Sequence, residues 1–270
     1  MKLSIVIPVH NGALFIARCL ESVKRCVSGS EADVEVVCVD DGSVDDSLEV
    51  IEDLKKGASE LGLLVSAVKQ PNLGVLAARA NGFAASTGAY VWFVDQDDEV
   101  VSSPLPILAA NPTVDICRFA NDPGFDMNVG NKVYRREVLA LAFSEIKNLK
   151  MRRFEDGVMY AVALKHAKQI VDSPEEIYRY LRRPDSASNM FDPDLVDEAQ
   201  ELLRFCPELR DRLVIYIATQ LMRVKAPWRE ISKVARQLSL SGLAKETRGR
   251  YGLAARHPSV IRCYRFLKRI

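Results

Sequence analysis

The sequence predicts an α/β fold built on a mostly parallel sheet with helices on both faces. Three observations predict it. Through roughly the first hundred residues, apolar runs of strand length alternate with stretches of helical periodicity. The apolar runs are nearly continuous, the pattern of strands covered on both faces. Each run then breaks on polar or turn-forming residues, which sets a row of loops along one edge of the sheet.

The first run is residues 3–9 (LSIVIPV), and residues 13–27 follow with Ile16, Ala17, Leu20, Val23 and Val27 on one helical face. Residues 34–39 (VEVVCV) read as the next strand, and residues 47–61 as a helix carrying Leu48, Ile51, Leu54 and Ala58. Residues 63–68 form a third strand, 75–86 a helix of small residues, and 90–94 (YVWFV) a fourth strand. Beyond Glu99 the pattern loosens. Residues 114–119 read as a strand, 120–130 as loop, and 131–142 as a short strand running into a helix. Residues 153–157 introduce a helix that extends through about Ala167. Residues 176–183 alternate as a strand, with Tyr178, Tyr180 and Arg182 on one face. From Asp192 onward the chain reads as helical, broken by Pro207, Pro227, Gly242 and Pro258.

At 270 residues, 48% apolar and 27% charged, the chain can bury a substantial core and is neither disordered nor fibrous. Residues 1–2 lead straight into the first apolar run, so no signal peptide is expected. Six cysteines without a CxxC pair then point to a reducing, cytoplasmic setting. The longest uncharged apolar stretch, residues 213–222, falls short of the roughly 20 residues a spanning helix needs. The net charge of +1 conceals an asymmetry. Residues 222–270 hold thirteen Lys or Arg against two acids, or +11, which leaves −10 for the rest.

Four loops follow the four strands: His10-Asn11-Gly12, Asp40-Asp41-Gly42-Ser43, Gln70-Pro71-Asn72-Leu73-Gly74 and Asp95-Gln96-Asp97-Asp98. In open α/β sheets the ligand crevice lies beyond the carboxyl ends of the strands, so these loops should converge on it. In an extended segment Asp95 and Asp97 point to one side and Asp98 to the other. Paired carboxylates there would select a hard divalent ion, Mg²⁺ or Mn²⁺, bridging a substrate diphosphate. The alternative is a solvated acidic turn, the commoner fate of a lone DxDD. For Asp40-Asp41 the alternative to ligand binding is an Asx turn, with Ser43 or Asp45 capping the next helix. Arg79, one turn after Gly74, is placed to meet a diphosphate, although alone it reads as a surface arginine.

These segments resemble the family 2 glycosyltransferases. The resemblance rests on SIVIPVHNG, VVCVDDGS and PNLGVLAARANGFAASTGAYVWFVDQDD, and continues through NKVYRRE, FEDGVMYA and YLRRPDSAS, over residues 3–188. It implies the GT-A nucleotide-sugar fold, Rossmann-like, over residues 1–190. Residues 1–112 would form the donor half and 113–190 a shortened acceptor half, with a basic helical extension over 191–270. Donor contacts are implied for Pro8, Val9, His10, Asn11 and Asp41 around base and ribose, with Asn72, Gly74, Arg79, Asp95 and Gln96 completing that set. Asp95 and Asp97 would form the metal and ribose pair, Asp97 being the direct ligand. Asp156 matches the general base of inverting members; Glu155, Asp98 and Arg182 stand as further candidates. From the residues alone, Glu155-Asp156 reads equally well as a helix start favoured by the macrodipole. Three departures stand out. Ala80 replaces the Asn that many members carry after the arginine, only about 32 residues separate Asp98 from Asn131, and the segment after Asn189 matches no family block.

The resemblance implies an inverting, metal-dependent hexosyltransferase of surface polysaccharide synthesis. It would move a sugar from a nucleotide diphosphate sugar, a UDP-sugar first, to a glycan or lipid-linked acceptor. Two rivals stand beside it: a non-catalytic donor-binding or scaffold protein, and a nucleotidyltransferase. The latter would favour a glycine- and lysine-rich phosphate loop, which His10-Asn11-Gly12 is not. In residues 260–270, Arg262, Arg265 and Arg269 line a face opposite apolar residues. That stretch reads either as a peripheral dock on the anionic inner face of a membrane or as a solvated helix packed on the acidic body. Nucleic acid is not an expected partner, since no aromatic-basic platform occurs.

Overall fold

A computed structural model of the chain describes residues 1–27, 33–59, 63–120, 128–149, 151, 154–181, 198 and 203. Its elements run β1 (Lys2–Val9), α1 (Ile16–Val27), β2 (Asp33–Asp41), α2 (Ser47–Ser59), β3 (Leu64–Gln70), α3 (Val75–Ala85) and β4 (Tyr90–Phe93). Then come β5 (Glu99–Val100), α4 (Leu105–Ala110), β6 (Ile116–Phe119), β7 (Lys132–Arg135), α5 (Arg136–Ile146), α6 (Glu155–His166), β8 (Ile170–Ser173) and β9 (Tyr178–Arg179). All of these lie in one unit, Met1–Asn121 with Met127–Leu181; Asp122–Asp126 and Arg182–Ile270 form another.

Seven strands form one sheet in the order β3-β2-β1-β4-β7-β6-β8. The β3-β2-β1-β4 half is parallel, and β7 enters antiparallel to both β4 and β6. Strand order reverses between β1 and β4, which makes their carboxyl ends the switch point where such sheets open a crevice.

The continuous apolar runs are explained by burial on both faces. Ile5, Val6 and Ile7 are successive residues of β1 and none has accessible surface. Ile5, Ile7, Val36 and Cys38 pack with Ile16, Cys19, Val23 and Ile51 from α1 and α2. On the opposite face α3 lies close to the strands. A methyl group on Gly82 would come 2.4 Å from Val6 Cγ1 and 2.9 Å from Val39 Cγ2, so the small residues of α3 are a packing requirement. Phe143 of α5 stacks against Phe83 of α3 and Phe93 of β4 on that face.

The NKVYRRE block proves to be scaffolding. Lys132 is wholly buried and donates to Asn128 O and Asn131 Oδ1, both at 2.7 Å. Arg135 reaches the carbonyls of Val114 (3.1 Å) and Pro112 (3.0 Å). Arg136 donates to Gly88 O at 2.6 Å, to Phe83 O at 3.2 Å and to Ser86 Oγ at 2.7 Å. It thereby reaches one carbonyl at the C-terminal end of α3, Phe83 O, and one just beyond the helix, Gly88 O.

Two sequence expectations are corrected. Of the strand expected over residues 176–183, residues 182–183 lie outside the described residues; among 176–181 only Tyr178–Arg179 pairs, with Glu99–Val100, in a separate two-stranded sheet. Tyr178 is buried while Tyr180 is 44% exposed, so the two do not share a buried face. Strand β8 and helix α4 were not anticipated. β8 is a four-residue, half-exposed edge paired parallel to β6, and its two apolar residues, Ile170 and Val171, are too few to read as a run. Arg182, and the helical and basic stretches after Asp192, fall outside the described residues, apart from residues 198 and 203. Among the described residues no helix is long and apolar enough to cross a membrane.

At the edge of the sheet away from the switch point, Glu35 is almost fully buried. It accepts hydrogen bonds from Ser4 Oγ (2.6 Å) and Thr87 N (2.6 Å) and pairs with Lys2 Nζ at 3.0 Å. Burial alone would raise its pKa, but these donors outweigh it and hold the value at about 2. A carboxylate depressed from 4.5 stabilises the fold fully above its unfolded pKa, and that contribution is lost as pH falls towards the folded value. Thermal melts across this acid range should therefore show a steep loss of stability in the wild type and a shallower one in Glu35→Gln. Parallel curves would remove Glu35 from the account of acid stability.

Candidate active site

The loops at the carboxyl ends of β1 to β4 are laced together by short polar side chains. Asn11, in a left-handed conformation (φ 48°), receives Val44 N at Oδ1 (2.9 Å) while its own N–H donates to Ser43 Oγ at 3.0 Å. Gly12 N donates to Ser47 Oγ (2.7 Å) and Ala13 N to Asp45 Oδ2 (3.1 Å). Asp45 also accepts Ser47 N at 3.1 Å, the Asx-type turn anticipated for this segment. Asn11 is thus committed to fixing the turn.

Asp41 is 4% exposed and serves the neighbouring loop. Its Oδ1 accepts from Gln70 Nε2 (2.8 Å) and Leu73 N (2.7 Å), and its Oδ2 from Gly74 N (2.9 Å). Gly74 has φ 90°, a conformation glycine adopts without penalty, and a Cβ there would meet nothing within 4 Å. The N-terminus of α3 therefore opens on the crevice, with no side chain capping it. Such an end favours an anion.

His10 is exposed at the mouth of the crevice. Its Nδ1 lies 2.9 Å from Asp41 O, a group that only accepts, so the proton resides on Nδ1. Nε2 then faces the amide nitrogens of Asn11 (3.2 Å) and Asn72 (3.4 Å). Gln96 reaches across from the β4 loop and pairs with the His10 backbone in both directions. His10 N donates to its Oε1 and its Nε2 donates to His10 O, each at 3.0 Å.

Residues 95–98 are a turn, not the extended segment expected, closed by Asp98 N donating to Asp95 O at 3.1 Å. Arg18 of α1 donates to Asp97 O at 2.9 Å. Asp98 points inward with no accessible surface; it accepts from Tyr178 OH and, at 2.8 Å, from Leu181 N. Burial and the Asp95 charge push its carboxyl up to about 8, against those two donors. Its role is to anchor the turn from below, whereas Asp95 and Asp97 face the crevice.

Beneath this turn lies Arg79, 2% exposed. It donates to Asp95 Oδ1 at 2.9 Å and to Asp156 Oδ1, with Glu155 Oε1 at 4.0 Å. Among the described residues its Nε has no hydrogen-bond partner. Burial works against the charge, and the Asp156, Asp95 and Glu155 carboxylates more than offset that. Glu155 and Asp156 open α6 after Phe154, which sits in the left-handed region at φ 60°. That is a rare state for a bulky residue and turns both acids towards Arg79. Burial, together with the Asp156 charge, raises Glu155 to about 8, with Arg79 opposing. Burial raises Asp156 as well, opposed first by Arg79.

The crevice encloses about 350 Å³. Of the residues named from the sequence, Pro8, Val9, His10, Asp41, Asn72, Gly74, Arg79, Asp95, Gln96, Asp97 and Glu155 line it. Asn11, Asp98 and Asp156 are not among the residues that line it. Val75 and Ala78 also line it and went unread, because small apolar residues of a helix carry no chemical signature. Among the described residues one guanidinium meets three carboxyl groups, and Asp97 also lines the crevice, so acidic groups outnumber basic ones there. Asp95 and Asp97 offer oxygen donors of the kind a Mg²⁺ or Mn²⁺ ion accepts. Among the described residues no three His, Cys, Asp or Glu side chains form a closed cage. An open set of one or two carboxylates fits an ion whose remaining ligands come from water and substrate phosphate.

A model of the Glycosyl transferase family 2 matches residues 4–111. Over 105 residues the chain is 37% identical to the poly(ribitol-phosphate) beta-glucosyltransferase of Bacillus spizizenii, which covers 39% of this chain and only 16% of that protein. S. aureus TarS 1-349, solved in complex with UDP, shares the fold at TM-score 0.61 and 20% identity, over 100% of this chain and 90% of that one. The mannosyltransferase PcManGT from Pyrobaculum calidifontis, solved with GDP-Man and Mn²⁺, does so at TM-score 0.61 and 14% identity, over 98% and 84%. Glu155 and Asp156 lie beyond the segment that the family model matches.

Proposed function

Residues 4–111 of this chain belong to glycosyl transferase family 2, and from that premise we propose that the chain is an inverting glycosyltransferase using a nucleotide diphosphate sugar, a UDP-sugar first. The observation that carries the proposal is the crevice at the β1/β4 switch point. There the Asp95–Asp97 turn, the uncapped start of α3 and the Glu155-Asp156 pair meet around one space. TarS and PcManGT, which share this fold, were solved with UDP and with GDP-Man and Mn²⁺.

In this reading the nucleoside lies against His10 and Asn72, and the diphosphate lies at the start of α3 beside Asp95 and Asp97. A divalent ion held there would supply a Lewis acid that offsets the charge of the leaving diphosphate. The acceptor hydroxyl oxygen bonds to the anomeric carbon as the bond from that carbon to the diphosphate breaks. A carboxylate of α6 takes the hydroxyl proton. Asp156 is the base by its position in the family motif. Glu155 lines the crevice while Asp156 does not and is bound to Arg79, which favours a second reading in which Glu155 takes the proton. Donor hydrolysis without added acceptor separates either reading from a non-catalytic donor-binding protein.

The acceptor we propose is a glycan or lipid-linked sugar of surface polysaccharide synthesis, in keeping with the poly(ribitol-phosphate) relative. The +11 segment 222–270 would then dock peripherally on an anionic membrane face.

Asp97→Ala should abolish the stabilisation of the protein by nucleotide sugar with Mn²⁺, seen as a thermal shift, and leave the ligand-free melting point nearly unchanged. An undiminished shift would remove Asp97 from the metal site. Asp156→Asn should preserve donor affinity while turnover falls about 10²- to 10⁴-fold; a larger loss in Glu155→Gln transfers the role of base to Glu155. The full chain should sediment with anionic liposomes, increasingly weakly as salt rises, while a chain ending at residue 221 should not. Equal sedimentation by both ends the docking proposal.

A further inference from the structure

Gln96 occupies the space that a side chain at Gly12 would need. A methyl group built on Gly12 falls 2.0 Å from Gln96 Oε1 and 2.6 Å from its Cδ. Gly12 does not have a positive φ, so an alanine there is unstrained in its backbone and collides only with this amide. The glycine is therefore explained by the glutamine. Through that gap Gln96 makes two hydrogen bonds to the His10 backbone, one in each direction, each 3.0 Å long. His10 is the residue whose ring stands at the crevice mouth, its Nδ1–H held by Asp41 O. A chain segment 86 residues away thus fixes where that ring stands.

The acidic turn does not need this amide for its own shape. Its backbone is held by Arg18 at Asp97 O, by the Asp98 N–H to Asp95 O bond, and by the two donors that grip Asp98. The Gln96 side chain can be removed while those ties remain.

We propose that Gln96 is a positioning residue for the nucleoside end of the donor, acting through His10 and admitted by the absence of a side chain at Gly12. The proposal rests on the donor-binding reading above and deepens it. One short side chain joins the acidic turn to the nucleoside wall, so the two ends of the donor are registered to each other by a two-point clamp. Its loss should weaken the grip on the nucleoside without touching the response to metal.

Uridine and guanosine carry no phosphate and so report on the nucleoside wall alone. Each is titrated into the full chain in the presence of EDTA, with binding followed by amide chemical shifts. Wild type should bind one of them, and Gln96→Ala should bind it about three- to tenfold more weakly, the range for one hydrogen bond or two partly exposed ones. Gly12→Ala should reproduce that loss, because its methyl evicts the Gln96 amide. The double variant should lose no more than Gln96→Ala alone, since the methyl then enters empty space; two independent structural defects would add instead. The ratio of UDP-sugar affinity with and without Mn²⁺ should stay at its wild-type value in all three variants, and their melting points serve as a check on folding. Unchanged nucleoside affinity in both single variants, or additive losses in the double variant, overturns the inference alone. Failure of the wild type to bind either nucleoside overturns the donor-binding reading and this inference with it.

Discussion

One buried guanidinium decides whether this site can exist. Asp95 arrives from the end of β4, and Glu155 and Asp156 from the first turn of α6. Three carboxylates brought together under partial burial would repel one another and carry desolvation penalties. Arg79, itself almost without accessible surface, lies among them and contacts each. The arrangement holds groups of opposite sign from three separate stretches of chain at fixed distances. Among the described residues it also leaves acidic groups in excess on the side open to the crevice, where a cation can enter. Removing Arg79 would leave the carboxylates uncompensated, which is the costly way to break a buried ion cluster. The small residues of α3 belong to the same constraint. Ala78 and Gly82 let the helix lie against β1 and β2, and that closeness carries Arg79 beneath the acidic turn.

The parallel half of the fold was legible because its physics is one-dimensional. A strand covered on both faces must be apolar at successive positions, and residues 3–9, 34–39 and 90–94 announce that without any alignment. The later half is read less well for reasons equally physical. β8 buries only part of one face, β5 and β9 pair over two residues each, and α4 spans six. None is long enough to display a period. Their positions depend on partners far along the chain, as β8 depends on β6 and Tyr178 on Asp98 and Gly130.

The site was legible as a set of residues and much less as a set of roles. The four loops do converge, and eleven of the residues that the sequence singles out line one crevice. Several that read as ligand-binding groups nevertheless spend their hydrogen bonds on the protein. Asp41 holds Gln70, Leu73 and Gly74; Asn11 holds Ser43 and Val44; Asp98 holds Tyr178 and Leu181; Gln96 holds His10. A motif marks positions where side chains matter, and carboxylates at a strand end matter as much for tying loops as for touching ligands. The sequence contains no signal that separates these uses, because both call for the same short polar side chains at turns.

That division of labour has a consequence for how such a crevice gains affinity. Loops order at a cost in conformational entropy, and a ligand that had to supply this ordering would bind more weakly by the same amount. Here the ordering is already made inside the protein, through Asp41 under the β3–α3 loop, Asp45 under the β1 loop and Asp98 under the acidic turn. Among the described residues, the groups that face the crevice include the His10 ring, Asn72, the open start of α3, Asp95, Asp97 and Glu155. Those groups are set by the scaffold before any ligand arrives, so their interactions can go to recognition and to charge. The positive-φ positions fit the same logic. Asn11, Gly42, Gly74 and Phe154 all adjoin the crevice loops or its acidic floor, and the strained conformations of Asn11 and Phe154 persist because several hydrogen bonds or close packing over-determine each one.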